Sequence, residues 1–162
     1  MDILGEMGDE IRKTAHNLMP EVLLKQSLPD AVRAYCNNVR DGALFQLDFQ
    51  SYGAFDDLTE DFKLNIYRII QELLKNITQH AQASHVLVEL VANENVLTVT
   101  VEDDGKGFNT GEIKNGIGLH NLRTRVNSMD GHFTLESEQG KGTSVFIEFD
   151  APKILKSNQQ AS

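Results

Sequence analysis

The sequence predicts an α+β domain: a two-layer α/β sandwich whose mixed, mostly antiparallel sheet carries its helices on one face. The first observation behind this is the order of hydrophobic periods, which runs helices, strand, helix, strand pair, loop, helix, strand pair. The second is that both strand pairs are joined by short turns, which excludes a purely parallel, doubly wound sheet. The third is size. A chain of 162 residues with 40% hydrophobic and 24% charged residues suits one globular core and excludes wholesale disorder.

Each element has its own signal. Ile11, Ala15, Leu18 and Val22 follow a 3.6-residue period broken at Pro20, and Leu28 to Val39 resumes it after Ser27–Leu28–Pro29. Leu44 to Phe49 alternates, with Phe45, Leu47 and Phe49 on one face of a strand. Asp57 and Glu60 have capping-box spacing, with Thr59 as a rival cap. The strongest helix runs from there to His80 on a stripe of Phe62, Ile66, Ile69, Leu73 and Ile77. Strands Val86 to Ala92 and Val96 to Asp103 flank an Asn93–Glu94–Asn95 turn. After a loop from Asp104 to Gly116, Leu119, Leu122, Val126 and Met129 mark a helix with Gly131 as its C-terminal cap. His132 to Ser137 and Gly142 to Phe149 form the last strand pair, and the polar tail from Lys153 to Ser162 is expected to fray.

Charge narrows the partners. Fifteen basic against twenty-four acidic residues give a net charge of −9, which argues against a nucleic-acid-binding surface. Phosphate would have to be held by backbone N–H groups or a metal. No apolar run approaches the roughly 20 residues of a membrane span, and the single cysteine, Cys36, fits a reducing cytoplasm.

Glycine placement points to a ligand site. Eight of the twelve glycines lie between Gly105 and Gly142, more than turns alone require. Walker A fails around Lys141, and both candidate dinucleotide fingerprints lack their third glycine. On the strand before the loop, Leu97, Val99 and Val101 share a face that Asp103 continues, so an apolar stripe ends in an inward carboxylate. Glu72 and Asn76 are neighbours one helical turn apart at the margin of the long helix's stripe. Together the three are candidates to line one cleft. Glutamate is suited to activating a nucleophile, and the asparagine carbonyl oxygen is a hard ligand for Mg²⁺. Gly116 and Gly118 open a helix whose first N–H groups form a ready anion site, and Thr143 leads the inward face of Val145, Ile147 and Phe149.

The ordered array Glu72-x-x-x-Asn76, Asp103-x-Gly105-x-Gly107, Gly116-x-Gly118-Leu119 and Gly140-x-Gly142-Thr143 resembles the N, G1, G2 and G3 boxes of the GHKL ATPases. This family of gyrase-type topoisomerases, heat-shock chaperones, MutL-type repair proteins and sensor histidine kinases shares the Bergerat ATP-binding fold. The segments QELLKNITQHAQAS and GIGLHNLRTRV, with only eight residues between Gly107 and Gly116, resemble the short-lid histidine kinases related to the nitrate-sensor and DesK-like proteins. The stretch IRKTAHNLMPEVLLKQSLPDAV resembles the end of that group's second dimerisation helix and its connector. The resemblance divides the chain into residues 1–40 (dimerisation helix end and connector), 41–152 (catalytic domain) and 153–162 (tail). Ser27 stands where a glycine is usual, and Gln79 where relatives often carry a basic residue.

The resemblance implies ATP and Mg²⁺ as cofactors, with roles that follow box by box. Asp103 would accept from the adenine amino group, assisted by Thr143 through water. Gly105 and Gly107 would let the chain pass close to the base, Phe108 would belong to the nucleotide site, and the Gly116–Ile117–Gly118–Leu119 backbone would cradle the triphosphate. Asn76 would hold Mg²⁺, His80 and Gly142 complete the nucleotide site, and Glu72 would be the base or polarising carboxylate. Implied partners are ATP or ADP, the parent protein's dimerisation and phosphoacceptor domain, and a response regulator. His16 is followed by Asn17 rather than an acidic residue, so the acceptor histidine is expected outside this chain. The implied place is the cytoplasm, with the parent's membrane anchoring open. Rival functions are an anti-sigma-factor serine kinase, against which the dimerisation-like residues speak, and a non-catalytic, nucleotide-gated interaction module.

Overall fold

The computed structural model describes residues 25–111 and 117–150. The helix expected over Ile11 to Val22, Gly116, and the tail from Lys153 lie outside them.

Helix α1 (Leu28–Gly42) starts where Ser27 Oγ accepts from the Asp30 N–H at 3.3 Å, with Pro29 in its first turn. It buries Leu28, Ala31, Val32 and Cys36. Strand β1 (Gln46–Tyr52) begins two residues later than the alternation predicts and extends further. Leu44 is fully exposed, whereas parallel pairing with the next strand continues to Tyr52 opposite Val91. Phe45 and Leu47 are buried on the expected face.

Helix α2 (Glu60–Asn76) is capped by Thr59, whose Oγ1 accepts from the Phe62 N–H at 3.2 Å. The Asp57 capping box does not form. Leu58 is buried in an extended bridge, so the helix cannot start before it. The five stripe residues are all buried, and so are Tyr67, Ile70 and Leu74. The stripe is broader than expected because α1 covers a second flank, with Tyr35 edge-on to Tyr67 at 5.8 Å. The helix does not run uniformly to His80: Ile77–Ala81 widens into a π-type turn, ended by Gln82 in the left-handed region (φ 52°).

Strands β2 (His85–Ala92), β3 (Val96–Asp103), β4 (His132–Glu138) and β5 (Gly142–Asp150) complete a sheet of order β1-β2-β3-β5-β4. Only β1–β2 is parallel. The mixed, mostly antiparallel sheet expected from the two hairpins is therefore present. Its inner face consists of Val86, Val88, Leu90, Leu97, Val99, Val101, Val145, Ile147 and Phe149, all buried, each worth about 1.5–3 kcal/mol. Phe62 of α2 meets Phe149 edge-on at 5.1 Å, binding the two layers.

Helix α3 (Ile117–Ser128) ends in a Schellman motif: the Gly131 N–H donates to the Val126 carbonyl at 3.0 Å and the Asp130 N–H to Asn127 at 3.1 Å. The left-handed residue is Asp130 (φ 57°), not Gly131 as the cap reading expects. Gly131 is needed for a different reason. A Cβ there would overlap the Phe149 ring and crowd Val126, and neither buried neighbour has room to retreat. Gly131→Ala is therefore expected to cost about 1–3 kcal/mol by overpacking, whereas Asp130→Gly relieves backbone strain and costs nothing. Denaturant unfolding of the two variants checks this.

Candidate functional site

Strands β3 and β5 pair with Asp103 opposite Thr143. Two inward apolar stripes thus end in polar side chains at the same sheet edge, next to the C-terminal end of α2. Between them lies a cleft of about 400 Å³. Leu73, Ile77, Ala81, Val101, Leu119 and Val145 form its apolar walls, and Asn76, His80, Asp103, Lys106, Gly107, Phe108, Gly118 and Thr143 complete the lining.

Two adjacent aspartates take opposite environments. Asp103 is half-buried, and burial raises its carboxyl above the usual carboxylate range despite the bond from the Gly105 N–H at 2.8 Å. Asp104 faces solvent. Backbone N–H groups of His85 (2.8 Å) and Ser84 (2.7 Å) donate to its Oδ1 and lower its pKa. Asp104 therefore ties the loop to the start of β2, while Asp103 faces the cleft as an acceptor.

The loop root after β3 is stitched on both sides. The Lys106 N–H donates to the Ala81 carbonyl at 2.7 Å, and the Lys106 carbonyl accepts from the Gly140 N–H at 2.6 Å. The Phe108 N–H donates to Ser137 Oγ at 2.9 Å. The π-type turn at Ile77–Ala81 supplies the Ala81 carbonyl, and the Thr78 hydroxyl bonded to the Leu74 carbonyl at 2.9 Å accompanies the widening. At Gly105 a Cβ would overlap the Ala81 carbonyl oxygen. Gly107 adopts φ 59°, and a Cβ there would overlap the Glu138 carbonyl oxygen.

Across the cleft, Glu72 and Asn76 converge on the first turn of α3. A Cβ built on Gly118 would lie 3.2 Å from Glu72 Oε1 and 3.6 Å from Asn76 Oδ1. Asn76 lines the cleft itself; Glu72 stands behind it, beside Gly118. Ile117 contributes the start of the α3 backbone. Gly142 is buried under the loop root, where a Cβ would overlap the Asp103 carbonyl oxygen.

The structure thus gathers Asn76, His80, Asp103, Gly107, Phe108, Gly118, Leu119 and Thr143 around one cleft, with Gly105, Gly142 and Glu72 as close supports. Sequence reasoning missed Lys106, Ala81 and Ser137. Lys106 was accessible as the residue between the two glycines of its box. Ser137 requires strand register, which places it opposite Thr143.

Residues 63–153 match the family described as histidine kinase-, DNA gyrase B- and HSP90-like ATPase. The chain is similar to the sensor histidine kinase ComP of Bacillus subtilis, with 34% identity over 90% of this chain and 20% of that protein. It is also similar to the signal transduction histidine-protein kinase/phosphatase DegS of Brevibacillus brevis, with 30% identity over 85% of this chain and 36% of that protein. It therefore spans about a fifth to a third of the length of these relatives. Among solved structures, the histidine kinase domain of the Erythrobacter litoralis EL346 blue-light activated kinase shares the fold. Its TM-score is 0.64 at 20% identity, covering 79% of this chain and 63% of that one. The matched residues make up more than half of the chain: this chain belongs to the histidine kinase-, DNA gyrase B- and HSP90-like ATPase family.

Proposed function

We propose that this chain is the ATP-binding catalytic domain of a sensor histidine kinase. It would transfer the γ-phosphoryl group of ATP to a histidine on the parent protein's dimerisation domain, for relay to a response regulator. The observation that carries this is the cleft itself: an inward carboxylate, Asp103, beside Thr143 on apolar walls, with Asn76 and the first turn of α3 opposite. The apolar walls suit a planar base, and Asp103 suits its exocyclic amino group. The unsatisfied N–H groups of α3 suit phosphate oxygens, consistent with phosphate binding by a chain of net charge −9.

The donor set fits Mg²⁺, since Asn76 and Glu72 present hard oxygen atoms toward Gly118. Asn76 would hold the ion, which when bound neutralises charge on the phosphates. The chain's own contribution is positioning: Asp103 and Thr143 fix the base, and the α3 backbone fixes the phosphates in line with an incoming imidazole. Glu72, beside Gly118, would polarise that imidazole. Helix α1, packed on α2 and β1, would be the connector from the dimerisation helix, and the working place would be the cytoplasm. The sensor kinases among its relatives favour this over a serine kinase.

Asp103→Asn is expected to have two effects of opposite sign. ATP should lose its advantage over GTP, because a carboxylate that meets guanine's carbonyl oxygen is left unpaired. That costs about 1–3 kcal/mol, or roughly 5- to 150-fold, and calorimetry with both nucleotides checks it. Free of nucleotide, the variant should be more stable than the parent near neutral pH. A carboxyl whose folded-state pKa is raised by burial contributes stability only below its unfolded pKa and loses it as pH rises through the folded value. The gain should therefore vanish in acid, and thermal unfolding across pH measures it.

Asn76→Ala should weaken ATP binding in excess Mg²⁺ while leaving binding in EDTA nearly unchanged. An equal fall in both conditions would remove Asn76 from the metal site.

A further inference from the structure

We propose that Ser137 is a positioning residue that fixes the Thr143 hydroxyl as a hydrogen-bond acceptor toward the cleft, and so strengthens the site's preference for a 6-amino over a 6-oxo purine. The proposal rests on the base lying against Asp103, as inferred above.

A serine hydroxyl has one hydrogen and two acceptor lone pairs. Ser137 Oγ has three neighbours: the Phe108 N at 2.9 Å, the Gly142 carbonyl oxygen at 3.1 Å and Thr143 Oγ1 at 2.8 Å. The amide can only donate, which occupies one lone pair. The carbonyl can only accept, which takes the hydrogen. One lone pair is left for Thr143, so the threonine hydroxyl must be the donor. This assignment alone satisfies all three contacts.

The consequence reaches the cleft, because Thr143 lines it and Ser137 does not. With its hydrogen turned toward Ser137, Thr143 offers the cleft only lone pairs. Asp103, its partner across β3–β5, also only accepts when ionised. The Asp103–Thr143 pair is then acceptor-only, whether it touches the base directly or through one water. A water that donates one hydrogen to Thr143 directs the other at a ring nitrogen, which accepts it in adenine but carries its own hydrogen in a 6-oxo purine. Without Ser137 the Thr143 hydroxyl is free to turn and donate, and a 6-oxo group gains a partner. The same serine hydroxyl holds the Phe108 amide, so base reading and the loop root share one anchor.

The test uses the full chain and two nucleotides that differ only in the base, ATP and inosine triphosphate, each titrated by calorimetry in the same Mg²⁺ buffer. Ser137→Ala should lower the ratio of ATP to inosine triphosphate affinity by about five- to tenfold. In a Thr143→Val background the same change should leave the ratio unaltered. Both nucleotides are measured on one sample, so partial unfolding cancels from the ratio. Ser137→Cys, similar in size with a weakly bonding thiol, should lower the ratio in the same direction if the alanine variant does not fold. An unchanged ratio in both serine variants, or an equal fall with Thr143→Val present, would overturn the proposal. If the parent chain shows no preference for ATP, or Asp103→Asn does not reduce it, the placement of the base fails as well. A preference that depends on Asp103 but not on Ser137 sinks the Ser137 role alone.

Discussion

The antiparallel register of β3 on β5 is the constraint from which the rest of the site follows. It sets Leu97 against Phe149, Val99 against Ile147 and Val101 against Val145, and all six are buried. A slip of one residue would turn one strand's stripe to the outer face. Exposing even three such side chains would forfeit on the order of 5–9 kcal/mol, comparable with the whole stability of a domain this size. With the register fixed by packing, the next pair along, Asp103 and Thr143, has no freedom to sit elsewhere. Two polar groups are thus delivered to one cleft by an apolar core whose last pair, Val101 and Val145, also lines it.

Around that pair the chain is secured by hydrogen bonds rather than by burial. Ala81, Lys106 and Gly140 are linked in series, and Phe108 is held by Ser137. The end of α2, the loop root and the β4–β5 turn therefore behave as one frame. Asp103 is the exception within it: burial raises its pKa, so the free fold disfavours its charge more than water does. Such a conflict between fold and charge is expected where a ligand supplies the missing donor. Asp104, one residue on, shows the alternative outcome, a carboxylate satisfied by backbone and committed to structure.

Most of the layer architecture was legible in the sequence, because it is written in period alone. The α2 stripe, the alternation ending at Asp103 and both hairpins needed no long-range information. The errors arose where tertiary contacts override local preference. Thr59 displaced the Asp57 cap because Leu58 is buried before the helix can begin. Asp130, rather than Gly131, took the left-handed position, since glycine was required one residue later for room beside Phe149. The π-type turn at Ile77–Ala81 leaves the hydrophobic pattern unchanged, so periodicity could not reveal it. Ser137 went unnoticed for the same kind of reason: its three partners are 29, 6 and 5 residues away along the chain and meet it only once the strands pair.

The central claim is that the β3–β5 register presents Asp103 and Thr143 to a nucleotide base while α3 faces its phosphates. It is tested most directly by titrating ATP into the isotopically labelled chain and following backbone amide resonances. The account predicts the largest shifts at Gly105, Phe108, Gly118 and Thr143, with the outer-face residues Thr98, Thr100 and Phe146 unmoved. Shifts confined to that outer face, or spread along α1 with Gly105 and Thr143 silent, would contradict it.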